Sequence, residues 1–142
     1  MRLRNLLLFA VPVIFIVAPS AVEAGELRVK ISGIGSADGE VRVAIFKSQE
    51  DFDSETFAYR IKEPAQIGGV EVVFEDVAPG TYGINAFHDA NNNEELDRNL
   101  VGLPLEDYGF SNNARGRFGP PNFDDISFAM SGKLKAMEIE LK

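Results

Sequence analysis

An alternation of apolar and polar residues with a period of two runs through most of the chain and limits what it can fold into. In the segment 27–31, for example, Leu27, Val29 and Ile31 alternate with Arg28 and Lys30. One apolar face at every second residue is typical of a half-buried antiparallel strand. The same pattern predicts further strands at 41–45, 70–74, 82–86, 126–130 and 137–141, and a weaker edge strand at 59–61.

These seven short strands predict an all-β fold. Turn-forming segments at 35–39, 78–80 and 131–133 separate several of them. No helical periodicity persists beyond a turn, although 48–51 suits either one capped helical turn or an irregular loop. Parallel α/β folds need crossover helices, so they are excluded. We therefore expect a seven-stranded antiparallel β-sandwich, with a closed barrel as the alternative.

The first 24 residues have the features of a secretory signal peptide. Arg2 and Arg4 precede an apolar run from Leu6 to Val17, and small residues up to Ala24 suit a cleavage site. The run has 12 residues, which is too short to span a bilayer. We predict a signal peptide at 1–24, a single domain at 25–142, and a periplasmic or secreted location without membrane insertion after cleavage.

Charge and composition exclude several classes of function. The chain carries 14 Lys and Arg against 22 Asp and Glu, a net charge of −8, which disfavours nucleic acids and anionic membrane surfaces as partners. The absence of cysteine excludes a disulfide scaffold, a thiolate metal site and a cysteine nucleophile. A single His argues against the usual multi-histidine catalytic metal centres.

The segment 89–122 has no clear strand or helix pattern over 34 residues. Such long loops are uncommon in compact domains and are usually functional or disordered. Disorder is not expected here, because the segment contains Leu100, Val101, Leu103, Leu105, Tyr108, Phe110 and Phe118. We expect these apolar residues to dock on the domain, so that the segment forms an ordered excursion over one end of the sandwich and carries the function.

Oxygen-bearing side chains at alternate positions of this excursion resemble the spacing of EF-hand calcium loops. The expected ligands are the side chains of Asp89, Asn91, Asn93 and Asp97 and the backbone carbonyl of Glu95. Two positions depart from that pattern, because Glu94 stands where a sharp turn usually requires Gly and Leu100 where a bidentate Glu closes the site. The expected affinity is therefore weak, roughly 10⁻⁴–10⁻³ M, and the alternative is a plain Asn-rich turn.

A polar ligand site is the second chemical feature of the excursion. Segment 108–121 combines Gly, Asn and aromatic residues with a basic pair, which suits an anionic or polar ligand. Alternatively, the two arginines form internal ion pairs with Asp89, Asp97, Asp107 or Asp124. His88, at the end of its predicted strand, is either a structural residue bonded to the loop or part of this site. The candidate ligand-binding residues are His88, Tyr108, Arg115 and Arg117.

A hydrolase would use the corner formed by His88 and Asp89, with Ser111 as its nucleophile. A catalytic triad needs a nucleophile, a base and an orienting group held together. No nucleophile-elbow pattern surrounds Ser111, so we assign no catalytic residue.

The order of motifs in the second half of the chain resembles the bacterial DUF2141 family. These motifs are Ala86–Asn93 (AFHDANNN), Leu96–Asp97, Gly102–Pro104 and Tyr108–Pro121 (YGFSNNARGRFGPP). Members are exported small domains without established catalytic residues, and they usually have Gly where this chain has Glu94. Segment 72–82 is also similar to the strand–turn–strand signature of transthyretin-like and carboxypeptidase-regulatory-like sandwiches. This second resemblance implies an Ig-like or transthyretin-like fold and an accessory or binding role.

The expected function is an exported, non-catalytic binding or interaction module for an unknown protein or small polar ligand. The expected cofactor is weakly bound Ca²⁺ and no other. One alternative is a hydrolase at the His88/Asp89 corner. The other is a purely structural envelope or surface protein, which would assemble through an exposed sheet edge or apolar patch.

Overall fold

The structure, a computed structural model, describes residues 23–142. The predicted signal peptide at 1–24 lies almost wholly outside these residues. The strands of the described part are β1 (Gly25–Ser32), β2 (Glu40–Phe46), β3 (Tyr59–Pro64), β4 (Gly69–Val77), β5 (Gly80–Asp89), β6 (Tyr108–Phe110), β7 (Phe128–Met130) and β8 (Leu134–Glu140). Two short helices, α1 (Gln49–Asp53) and α2 (Phe123–Ile126), and a 3-10 turn at Ser111–Asn113 are also present. No helix in this part of the chain has the length and apolar character that crossing a membrane requires.

The strands form two sheets with a shared apolar core. One sheet has the order β4-β1-β8, and the other has the order β3-β2-β5-β6 with β7 paired to β5. The core between them includes Leu27 and Val29 of β1 and Val41 and Val43 of β2, all at most 1% exposed. The predicted all-β fold is therefore confirmed as a two-sheet arrangement, and the barrel alternative is wrong.

Three details of the predicted sandwich are wrong. The described residues form eight strands rather than seven, because β6 has only three residues and shows no alternation. The sheets are not purely antiparallel, since β8 runs parallel to β1 with Met137 opposite Val29. Ile126 belongs to α2 and not to a strand at 126–130, because it packs in a small second cluster with Phe46, Phe110 and Phe123.

The segment after β2 forms the capped helical turn rather than the irregular loop. The Oγ of Ser48 accepts a hydrogen bond from the Asp51 N–H at 3.1 Å, as an N-cap residue does. Phe52 of α1 packs edge-on against Phe46, with 5.2 Å between the ring centres. The cap and the ring contact together hold this connection against the second apolar cluster.

The long excursion leaves the domain at the end of β5 and returns as β6, which is the next strand in the same sheet. Glu40 of β2 lies opposite Asp89, and Phe87 of β5 lies opposite Tyr108. The backbone of Tyr108 also exchanges hydrogen bonds with Lys142 beyond β8. Gly109 allows this close approach, since a Cβ there would lie 2.8 Å from the Glu140 carbonyl oxygen. Both ends of the loop 90–107 are therefore anchored at one end of the sheet.

Candidate functional site

Asp89 is a fully buried carboxylate at the point where β5 ends and the long loop begins. Its Oδ1 accepts a hydrogen bond from the Asn93 N–H at 3.0 Å, and its Oδ2 accepts one from the Glu94 N–H at 2.9 Å. The Nε of Arg42 also donates to Oδ2, at 2.9 Å. The buried charge is thus both paired and hydrogen-bonded, which is the condition under which a carboxylate is tolerated inside a protein.

Arg42 reaches Asp89 from β2, the neighbouring strand. Its guanidinium also bonds Glu40, and its Nη2 lies 3.0 Å from Oε1 of Glu94. Partial burial acts to lower the pKa of Arg42, but hydrogen bonds to Glu94 and Asp89 and the charge of Glu40 outweigh it, so the pKa is raised. Arg42 is therefore a permanent positive charge among three acids. We call these four residues the Arg42 cluster: Glu40, Arg42, Asp89 and Glu94.

The turn before β2 brings that strand close to Asp89. Gly39 has a φ of +66°, and a Cβ there would lie 1.9 Å from the Asp89 carbonyl oxygen. A left-handed conformation is free of steric cost only for Gly, so this position allows the close approach that the Arg42 cluster requires.

The residues of the hydrolase alternative are not brought together. His88 is 6% exposed, and its Nε2 donates to the Asp38 carbonyl at 2.7 Å. Ser111 is fully buried, and its Oγ accepts from the Ile84 N–H at 2.9 Å and donates to the Ile126 carbonyl. Each side chain makes a structural hydrogen bond to backbone, and among residues 23–142 none joins one to the other. Of the two interpretations of His88, the structural one describes its contacts.

The loop after Asp89 brings the four predicted side-chain metal ligands together. The Nδ2 groups of Asn91 and Asn93 donate to the two carboxylate oxygens of Asp97, at 2.7 and 2.8 Å. The Oδ1 of Asn91 accepts from the Asn93 N–H at 3.0 Å, and the Oδ1 of Asn93 accepts from the Glu95 N–H at 2.9 Å. The last two hydrogen bonds are Asx turns, in which a side-chain oxygen accepts from the backbone N–H two residues later and keeps the chain coiled.

The chemistry of these donors fits a weak cation site at most. Amide nitrogens rather than amide oxygens face Asp97, whereas Ca²⁺ requires oxygen ligands. Rotating both amides would present their oxygens but would break both Asx turns. No three acidic, His or Cys side chains of the described part are arranged as a metal-binding group. The side chains that could hold a cation here are the carboxylates of Asp89 and Asp97 and the amides of Asn91 and Asn93.

Glu94 adopts the left-handed backbone conformation that the calcium-loop pattern requires at its position. Its φ is 71°, and that of Asn92 is 57°. For a residue other than Gly this conformation costs on the order of 1–2 kcal/mol. The backbone bond from Glu94 to Asp89 and the ion pair with Arg42 hold the residue in place against that cost.

Glu106 closes the base of the loop, a role that the sequence pattern did not indicate. Its Oε1 accepts from the Ala90 N–H at 3.1 Å, and its Oε2 accepts from the Asp97 N–H at 3.0 Å. One carboxylate therefore ties the start of the loop to its middle. Glu40 and Arg42 were also missed, because their approach depends on the register of β2 against β5. The only local signal was that Arg42 stood on the polar face of the predicted strand 41–45 and Glu40 directly before it.

Beyond Asp97 the loop forms a small hairpin, residues 98–105, which we call the apolar hairpin. Arg98 and Pro104 pair in an isolated β-bridge, and the Oδ1 of Asn99 accepts from the N–H groups of Val101 and Leu103, both at 3.0 Å. Its backbone is thus largely bonded within the hairpin. Four of its side chains are exposed to solvent: Leu100 (107%), Val101 (79%), Leu103 (61%) and Leu105 (67%).

The expectation that the apolar residues of the excursion dock on the domain is therefore wrong for this hairpin. It is also wrong for Phe118, which is 104% exposed, whereas Phe110 is buried and Tyr108 is half-buried. The reason is geometric: the hairpin makes its own backbone bonds and projects its side chains away from the sheets. Several exposed apolar side chains on one short segment are typical of an interaction site.

The four predicted ligand-binding residues do not share one cleft. Arg115 and Arg117 line a cleft of about 570 Å³ together with Pro120, Pro121, Asn122 and Asp125. His88 and Tyr108 are not among its lining residues. We call this feature, built mainly from residues 114–122, the arginine cleft.

Arg115 and Arg117 are not used in the way that the ion-pair alternative predicted. Arg115 donates to the backbone carbonyls of Tyr108 and Glu140, at 3.1 and 3.0 Å, and lies over the Tyr108 ring. Neither arginine forms an ion pair with an acid in the part of the chain that the structure describes. The charge of Arg117 faces solvent.

Replacing Arg42 with Met leaves the buried Asp89 carboxylate without its cationic partner. We expect Arg42→Met to lower the free energy of unfolding by about 3 kcal/mol, measured by urea denaturation. Arg28→Met is the matched control, because Arg28 also pairs with two acids but is 47% exposed. That variant is expected to change stability far less.

A double-mutant cycle separates the ion pair from other effects of the substitution. The stability loss of Arg42→Met/Asp89→Asn is expected to be smaller than the sum of the losses in the two single variants. The reason is that the double variant no longer buries the uncompensated carboxylate charge of Asp89. Strict additivity, or an equal loss in Arg28→Met, would contradict the role assigned to the pair.

Comparison with known proteins places the chain in a family. The model of a family described as "Uncharacterized protein conserved in bacteria (DUF2141)" matches residues 29–138. No curated protein and no solved structure matches the chain significantly. The matched range runs from β1 into β8 and includes the Arg42 cluster, the apolar hairpin and the arginine cleft. The family predicted from the motifs is thus confirmed, and this chain belongs to the DUF2141 family.

Proposed function

We propose that this protein is an exported, non-catalytic interaction domain that binds its partner through the apolar hairpin. The observation that carries the proposal is the exposure of four large apolar side chains on one ordered hairpin: Leu100, Val101, Leu103 and Leu105. The fully buried centre of a protein interface is more apolar than the rest of the surface, and burial of these side chains against a partner removes apolar surface from water.

The hydrogen bonds that order the segment before the hairpin support a binding role. Asp89 and Glu106 bond the backbone at both ends of the coiled segment that precedes the hairpin, and Arg42 holds Asp89. A binding element that is ordered before it meets its partner loses less conformational entropy on association. The hydrolase alternative has no comparable support, since His88 and Ser111 are both engaged by backbone groups.

Sequence features support the rest of the proposal. The signal-like segment at 1–24 favours export to the periplasm or the exterior, and the absence of cysteine fits an accessory domain that its core alone stabilises. The segment 72–82 favours a transthyretin-like or Ig-like arrangement of the two sheets. The partner class is a protein surface rather than a nucleic acid, because the chain is acidic.

Site-specific photocrosslinking in cells that export the protein tests the hairpin. A photoreactive amino acid at position 101 is expected to form covalent adducts, because Val101 stands at the exposed tip. Position 67 is the matched control, since Ile67 is 74% exposed but precedes β4, away from the hairpin. Leu103→Ser should reduce the yield of adducts at 101 while leaving the thermal stability unchanged, because Leu103 is 61% exposed and packs little within its own chain. Equal adduct yields at 101 and 67, or a yield at 101 that Leu103→Ser leaves unchanged, would refute the proposal.

The coiled segment 89–97 is a second part of the proposal, as a weak Ca²⁺ site that orders the base of the hairpin. Its ligands would be the side chains of Asp89, Asn91, Asn93 and Asp97 and the Glu95 carbonyl. The observation in favour is that Asn91 and Asn93 already contact Asp97 while Asp89 binds the Asn93 N–H. Bound Ca²⁺ would replace amide hydrogen bonds to Asp97 with a stronger charge interaction.

Thermal unfolding in chelator and then in CaCl₂ up to about 10 mM tests this site, since weak extracellular sites fill in that range. At ten times the dissociation constant the stabilisation is about 1.4 kcal/mol, which raises Tm by several degrees. Asp97→Asn should remove the increase, and Asp124→Asn, at an exposed acid of α2, should retain it. A flat response of the unmodified protein, or an increase that Asp97→Asn keeps, would show that the segment is a polar turn only.

A further inference from the structure

We infer that the apolar hairpin of one protomer docks on the arginine cleft of a second copy of this chain, so that two protomers form a symmetric dimer. The inference rests on the proposed function, because it names the partner of the same hairpin. Charge, apolar surface and the positions of the two elements in the fold support it.

The segments that flank the hairpin are acidic, whereas the cleft is basic. Residues 94–107, which comprise the hairpin and its flanks, contain five acids and one Arg, a net charge of −4. Residues 114–122 contain Arg115 and Arg117 and no acid, although Asp125 of α2 also lines the cleft. Opposite potentials on facing surfaces favour one register and one partner. A contact between two hairpins would instead bring like charges together.

The cleft also has apolar surface for the tip of the hairpin. Pro120 and Pro121 line it, and of the two Pro120 is exposed while Pro121 is buried. The fully exposed Phe118 stands on the turn that joins Arg117 to Pro120. This turn is tight, since a Cβ at Gly116 would lie 1.9 Å from the Gly119 carbonyl oxygen. Phe118 and the hairpin are the apolar parts of the excursion that solvent reaches, and one contact between copies buries both.

Each protomer carries both elements close to the same strand, as a two-fold interface requires. The loop that bears the hairpin ends at Asp107, next to Tyr108, and Arg115 of the cleft donates to the Tyr108 carbonyl. A two-fold axis then sets each hairpin on the other protomer's cleft. The contact occurs twice and the assembly closes as a dimer.

A charge swap tests this arrangement by sedimentation of the purified protein over a wide range of concentrations. The unmodified protein is expected to dimerise. Arg117→Glu and Asp107→Arg are each expected to weaken the dimer about tenfold or more, because like charges then face each other. A mixture of the two variants should restore dimers, since both contacts of the mixed pair again join opposite charges. Monomers at every concentration, or a mixture no more dimeric than its components, would overturn the inference.

Neutral substitutions separate the apolar contact from the charges. Val101→Ser/Leu103→Ser is expected to raise the dimer dissociation constant about tenfold or more, and Ile67→Ser, at an exposed apolar residue outside the hairpin, should leave it unchanged. A dimer that responds equally to both changes would overturn the inference.

If the purified protein is monomeric and the adducts at position 101 contain a different protein, the dimer fails and the interaction function stands. If no adducts form at position 101 either, both fail.

Discussion

The ion pair between Arg42 and Asp89 is the contact on which the long loop of this protein depends. Asp89 is fully buried, and its two oxygens organise the backbone of Asn93 and Glu94 while Arg42 supplies the opposite charge. Burying a carboxylate is costly, and here two backbone N–H groups and a cation together offset that cost. Gly39 brings β2 close enough for Arg42 to be that cation. The anchored start fixes the backbone at Asn93 and Glu94, and Glu106 and the hairpin's own bonds hold the rest of the loop.

The loop and the sheets have separate roles. The two sheets bury an apolar core to which the loop 90–107 contributes no residue. In the excursion, polar side chains accept hydrogen bonds from the backbone of the excursion itself. These side chains are Asp89, Asn91, Asn93, Asn99 and Glu106. The excursion leaves the apolar side chains of its hairpin in solvent. The four large apolar side chains of the hairpin add little to the core, and their exposure is the physical basis for assigning the hairpin a partner.

Local patterns predicted those parts of the structure that depend on local geometry. Alternation identified β1, β2, β4, β5 and β8, and the spacing from Asp89 to Asp97 predicted which side chains of the loop meet. The parallel pairing of β1 with β8 and the approach of Arg42 to Asp89, 47 residues apart, depend on distant registers that no local pattern encodes. The exposure of Leu100 and Phe118 was also unpredictable, because it follows from the absence of a surface on which they dock.

Amide hydrogen exchange, resolved by residue, tests most directly whether the buried carboxylate organises the loop. The N–H groups of Asn93 and Glu94 are predicted to exchange at least about tenfold more slowly than in an unfolded chain, because each is bonded to Asp89. The same protection should disappear in Asp89→Ala while the amides of β1 stay protected. If the amides of Asn93 and Glu94 exchange at the unfolded rate in the unmodified protein, the loop is not ordered by Asp89. The claim that the hairpin is held in one position would then be contradicted as well.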